Sequence, residues 1–181
     1  GLVKAIGLDF GTTNSALAMA TSDGMVQLAQ FKGDATFRSI IYFEEHDSTR
    51  TKLRVVAGPE AIKSYLGAKT PGRLIQSMKS YLASRLFTQT QILGETYALE
   101  DLISILLRHL RKSAEEQFGD LSSALVVGRP VHFSGARDLA DDEFAVSRLR
   151  VAFGNAGFTN VPFLPEPIAA AYKYQQRLEH Q

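Results

Sequence analysis

Residues 6–15, Ile-Gly-Leu-Asp-Phe-Gly-Thr-Thr-Asn-Ser, end a short apolar run in an acid and follow it with glycine and small polar residues before a second apolar run begins. Val3 to Leu8 reads as a buried strand, Phe10 to Asn14 as a tight turn and Ser15 to Ala20 as the returning strand. A further turn at Ser22-Asp23-Gly24 leads into Met25 to Ala29, so the chain opens as a three-stranded meander. Where side chains are this small, successive backbone N–H groups can approach phosphate oxygens, and a carboxylate at a strand end can hold a hydrated Mg²⁺. Turn chemistry alone leaves two readings open, an ordinary hairpin and a phosphate-binding turn.

Downstream of Phe31 the pattern changes. Ser39 to Phe43 and Leu53 to Ala57 read as strands, Pro59 to Leu66 and Arg73 to Leu86 as helices, and Thr88 to Ala98 as a hairpin about Gly94. Together they suggest an inserted α+β subdomain. Leu99 to Phe118 then places Leu99, Leu102, Ile103, Leu106, Leu110, Ala114 and Phe118 on one helical face, with Arg108, Arg111 and Lys112 toward its end and Gly119 after it. Ala124 to Gly128 is a continuous apolar run suited to a central strand, ended by Arg129-Pro130. A helix over Phe144 to Ala156, a strand over Val161 to Leu164 and a helix over Pro167 to Leu178 complete an α/β pattern with crossover helices. The expected division is a core of residues 1–37 and 99–181 and an insert of residues 38–98.

Composition removes several classes of function. With 20 lysines and arginines against 19 aspartates and glutamates, the chain has no basic excess with which to hold nucleic acid or an anionic membrane. It has no cysteine, hence no disulfide and no thiolate metal site. No apolar run is long enough to cross a bilayer and no signal-peptide pattern opens the chain, so a cytoplasmic protein is expected. The initial glycine and the helical run that stops at Gln181 suggest a fragment. His46, His109, His132 and His180 lack metal-ligand spacing, and no serine has the G-x-S-x-G context of a hydrolase nucleophile.

Among nucleotide-binding patterns, neither the P-loop string G-x-x-x-x-G-K-S/T nor the dinucleotide string G-x-G-x-x-G occurs. Ile6 to Ser15 instead resembles the first phosphate motif of the heat-shock-protein-70 chaperones (DnaK-like), whose ATPase domain shares the actin and sugar-kinase fold. The resemblance implies an actin-like, ribonuclease H-like lobe with a mixed central sheet, and ATP or ADP with Mg²⁺ as cofactors. It implies that Asp9 holds Mg²⁺ through water, that Gly11, Thr12, Thr13 and Asn14 offer donors to the phosphates, and that Thr12 lies near the γ phosphate.

Three further segments carry the resemblance. Leu164 to Tyr172 is similar to the family's first connecting motif, in which Glu166 would face the Mg²⁺ through water and the attacking water, while Pro167 and Ala170 belong to a hinge. Met78 to Leu82 is similar to the segment whose lysine reaches the γ phosphate, which makes Lys79 the candidate. Ser123 to Phe133 resembles a strand ended by a proline that relays nucleotide state, here Pro130. Ile168 stands where threonine is usual, Arg129 where a smaller residue is usual, and Asp138 to Glu143 reads as an acidic insertion; these departures point to a divergent, YegD-like branch. The arginine expected beyond the Pro130 strand has Arg137, Arg148 and Arg150 as neighbours but no clean counterpart.

No second acid-glycine phosphate turn of the D-x-G-G-G-T kind is present, so the expected function is that of one lobe of a chaperone ATPase, inactive alone. Its expected partners are the nucleotide, a missing second lobe, peptide clients and co-chaperones. Within the same superfamily, a sugar or acetate kinase and a filament-forming actin-like protein are the alternatives.

Overall fold

The computed structural model describes residues 4–45, 53–121, 125–128 and 132–164. Strand β1 (Lys4–Phe10) pairs antiparallel with β2 (Asn14–Thr21) from Lys4 opposite Thr21 to Phe10 opposite Ser15. β3 (Val26–Leu28) continues the meander on β2, and the short β4 (Phe37–Arg38) also pairs with β2. The expected meander is therefore present, with the first strand running two residues further than its apolar pattern suggests, through Asp9 to Phe10.

A second sheet follows, formed by β5 (Ile40–Glu45), β6 (Leu53–Ala57) and β7 (Gly72–Gln76) in the order β6-β5-β7, with helix α1 (Pro59–Leu66) between β6 and β7 in sequence. A 3-10 turn over Met78–Tyr81 and the hairpin of β8 (Gln89–Ile92) and β9 (Glu95–Ala98) lead into α2 (Leu99–Phe118). The chain then forms β10 (Leu125–Gly128), α3 (Leu139–Asn155) and β11 (Phe163–Leu164). β10 lies parallel to β1 and β11 parallel to β10, so the first sheet is mixed and has the order β11-β10-β1-β2-β3.

Alternation along β1 turns Ile6, Leu8 and Phe10 to one face and Ala5, Gly7 and Asp9 to the other. The first face is covered by the apolar stripe of α2 and by Leu149, Ala152 and Phe153 of α3, in one continuous core that also takes in Leu17, Leu125 and Val127. Each fully buried Leu, Ile or Phe in that core contributes about 1.5–3 kcal/mol. The α2 face predicted from sequence is buried throughout, and Leu107 joins it. The helix begins where the Asp101 carboxylate accepts the Ala98 N–H at 2.9 Å.

Two expectations are corrected. Arg73 to Leu86 is not a helix: residues 72–76 form β7, in register with β5 from Ile40 opposite Gln76 to Glu44 opposite Gly72. Ser77 then takes a left-handed conformation (φ 59°, ψ 31°), and only one 3-10 turn follows. Leu74, Ile75, Met78 and Leu82 fit a helical stripe as well as a strand followed by a turn, so periodicity could not separate the two. The waiting edge of β5 decided it. Gly72 permits the close pairing, since a Cβ there would lie 2.3 Å from the Tyr42 hydroxyl.

The second correction concerns the helix expected over Phe144 to Ala156: α3 begins five residues earlier, at Leu139, so Asp138 to Glu143 form its cap and first turn. Asp138 caps the helix by accepting the Asp141 N–H at 2.9 Å. Asp142, almost wholly buried, accepts the Phe133 N–H at 2.8 Å and lies 3.0 Å from His132 Nδ1, which ties the chain beyond β10 to the helix N-terminus.

Candidate functional site

The turn between β1 and β2 is closed by the Gly11 N–H, which donates to the Asn14 carbonyl at 3.0 Å. A Cβ on Gly11 would lie 2.3 Å from that same oxygen, so the closure requires glycine. Thr12 is half-buried at the tip, Thr13 and Asn14 are exposed, and Asp9 is exposed at the end of β1. Small side chains leave the backbone of this turn open to a ligand.

Ser39, between β4 and β5, supports the turn from behind. Its N–H donates to the Thr13 carbonyl at 2.8 Å and its hydroxyl to the Gly11 carbonyl at 2.9 Å. Its oxygen lies 3.1 Å from that of Ser15, and both side chains are buried. Since the Ser39 proton is given to Gly11, the Ser15 hydroxyl is the donor between them. Sequence reasoning missed Ser39; the only signal was a polar residue opening the apolar run Ile40 to Phe43.

Lys79 comes to the turn from the 3-10 turn that follows β7. Met78, buried in the core, anchors the 3-10 turn, and the neighbouring Lys79 ammonium donates to the Phe10 carbonyl. Its Nζ is 5.8 Å from the centroid of the Phe10 ring. Burial holds the Lys79 pKa below the ordinary 10.5, and the Asp9 carboxylate pulls in the opposite direction. A lysine that faced solvent on a helix would show neither effect.

Of the residues singled out from sequence, Asp9, Gly11, Thr12, Thr13, Asn14 and Lys79 are brought to one place. Glu166, Pro130, Pro167 and Ala170 lie outside the described residues. The strands that precede them are placed: Leu8 pairs with Val127, and Gly128 with Leu164, so β10 and β11 end at the sheet edge where Asp9 and its turn stand. Carboxyl ends of parallel strands are where α/β sheets take their ligands.

Among the described residues no three His, Asp or Glu side chains gather to cage a bare ion. One exposed carboxylate beside threonine hydroxyls and an ammonium is the donor set that suits hydrated Mg²⁺ carried on a polyphosphate, because Mg²⁺ keeps most of its waters and takes one or two carboxylates. The residues present fit that group. No helix among them is long and apolar enough to cross a membrane.

A model of the Hsp70 protein family matches residues 5–174. The chain belongs to the Hsp70 family. Its mixed sheet, flanked by α2 and α3, is the actin-like ATPase lobe of that family, and the match includes both the Asp9 turn and Lys79. As an Hsp70-family region it is ATP-binding and chaperone-like, of a class that binds nucleotide with Mg²⁺.

Proposed function

We propose that this region is the first lobe of a Mg-ATP-hydrolysing unit in a chaperone, with the Asp9 turn gripping the phosphate tail and Lys79 facing its terminal group. The observation that carries the reading is the Lys79 ammonium at the Phe10 carbonyl, next to Asp9 and the glycine turn. A cation held half-buried beside a turn of small residues is costly for stability and useful for an anion.

When bound, Mg²⁺ would neutralise phosphate charge and fix the orientation of the tail. Asp9 would orient the ion's water ligands; Gly11, its own N–H closing the turn, would let the N–H groups of Thr12 to Asn14 hold phosphate oxygens, with Thr12 at the terminal one. Lys79 stabilises the charge that develops as the γ phosphoryl passes to water and ADP leaves. Glu166, two residues beyond β11, would order the attacking water. Pro130, Pro167 and Ala170 would form the hinge and relay. In this reading residues 1–37 and 99–181 are the core subdomain, and the insert of residues 38–98 delivers Lys79. A second lobe closes the site, and peptide clients and co-chaperones in the cytoplasm would read its state.

Calorimetric titration with Mg-ATP tests this. The 181-residue chain should bind weakly or not at all and a chain carrying both lobes tightly, because one lobe leaves the base exposed. Tight binding by the single lobe would overturn the two-lobe reading; no binding by the longer chain would overturn the ATPase reading. In the longer chain Asp9→Asn should weaken Mg²⁺-dependent binding about 10–100-fold. Lys79→Ala should slow hydrolysis about 100–1000-fold with less effect on binding. Unchanged turnover in both variants would remove those roles.

A further inference from the structure

Arg148 on α3 is only 6% exposed, yet its guanidinium is directed wholly at oxygen acceptors. Nη1 donates to the carbonyls of Tyr81 (3.3 Å), Leu82 (3.2 Å) and Ser84 (3.0 Å), and Nη2 to that of Phe87 at 2.9 Å. Nε donates to the Glu100 carboxylate on α2. The chain from Tyr81 to Phe87 thus wraps around one cation, with the Phe144 ring 5.3 Å from its Cζ.

Tyr81 closes the 3-10 turn that carries Lys79, and the Leu82 N–H donates back to the Lys79 carbonyl at 3.3 Å. One side of the turn is held by buried Met78 and the other by Arg148. Lysine has a long flexible stem, so the place of its ammonium depends on how firmly its backbone is held. A buried arginine adds little net stability compared with apolar packing, whereas four directed hydrogen bonds to backbone carbonyls fix backbone geometry.

We propose that Arg148 is a positioning residue for Lys79: by gripping the carbonyls just after the lysine turn, it sets the approach of the ammonium to the Phe10 carbonyl and the Asp9 turn. Its consequence for catalysis rests on the reading of Lys79 given above.

Arg148→Lys and Arg148→Met test it in the full chain. Acetic anhydride labelling across pH, followed by peptide mass mapping, gives the pH profile of Lys79, with Lys63 of α1 as internal reference. Either substitution should move the Lys79 profile to higher pH, toward that of a free lysine, and leave Lys63 unchanged. Turnover of Mg-ATP by a chain with both lobes should fall about tenfold in kcat with KM changed less than about twofold, Arg148→Lys retaining more than Arg148→Met. A lowered melting temperature with an unmoved Lys79 profile would overturn the proposal and leave Arg148 a structural residue. A moved profile with unchanged kcat would support the positioning role and overturn the catalytic reading of Lys79 instead. If Arg148→Met does not fold, Arg148→Lys, which keeps the buried charge opposite Glu100, decides between these outcomes.

Discussion

The Ser39 hydroxyl donates to the Gly11 carbonyl at 2.9 Å across 28 positions of sequence, and in doing so fixes the turn that follows Asp9. The same side chain receives the Ser15 hydroxyl, so turn, β2 and the entry to β5 share one small polar knot inside the core. Ser39→Ala removes the donor to Gly11 and strands a buried Ser15, at an expected cost of about 1–3 kcal/mol in urea unfolding. Ser15→Ala should cost less, because Ser39 keeps Gly11. Their double mutant should be less destabilised than the sum of the single changes by at least about 0.5 kcal/mol. Strict additivity would mean that the two hydroxyls act independently.

Gly11 and Gly154 should respond to alanine with opposite signs. At Gly11 the new Cβ meets the Asn14 carbonyl at 2.3 Å, and the turn must open. A loss of about 2–3 kcal/mol is expected, with loss of nucleotide binding in the two-lobe chain. Gly154 lies within α3, where a Cβ meets nothing within 4 Å. There alanine should add about 0.5–1 kcal/mol, since it narrows the unfolded ensemble and favours the helix. Chemical denaturation of both variants measures the contrast.

The turn and the central helix were legible in the sequence because each is specified locally. Asp9 to Asn14 combines an acid, a glycine and small polar residues in one string, and the apolar stripe of α2 repeats over Leu99–Phe118 with no competing period. What eluded sequence reasoning depends on partners distant along the chain. β7 is a strand because β5 offers it an edge, and Ser39 matters because Gly11 faces it. Arg148 was one of three nearby arginines until the fold wrapped residues 81–87 around it. Lys79 was singled out by resemblance and read on a helix, whereas its backbone is a 3-10 turn.

That difference in backbone can be tested at Ser77. With φ 59° and ψ 31°, Ser77 sits in the left-handed region, which costs a residue with a Cβ about 1–2 kcal/mol and glycine very little. Ser77→Gly should therefore leave stability unchanged or raise it by about 0.5 kcal/mol after glycine's greater unfolded freedom is counted. In a helix over Arg73 to Leu86 the same change would cost about 0.5–1 kcal/mol. The sign of the change in urea midpoint separates the two backbones.

Lys79→Met tests what the fold gives up to keep a cation at the turn. Burial lowers the folded pKa below 10.5, so the unfolded chain holds the proton to higher pH than the native one. Stability then rises with pH between the folded pKa and 10.5, while below the folded pKa both states are protonated and the native chain carries the full cost of a half-buried charge. Methionine fills similar space without that charge, so near pH 7 the variant should be the more stable by up to about 1 kcal/mol. The gap should close as pH approaches 10.5, since every other titrating group is common to both proteins. Urea midpoints measured from pH 7 to 10.5 follow it directly. A gap that widened with pH, or a variant less stable at pH 7, would mean that the Phe10 carbonyl and the Asp9 carboxylate more than offset desolvation, and that Lys79 stabilises the lobe. A gap of the expected sign, joined to lost turnover in the two-lobe chain, would mark Lys79 as a residue kept for phosphate chemistry against the interest of the fold.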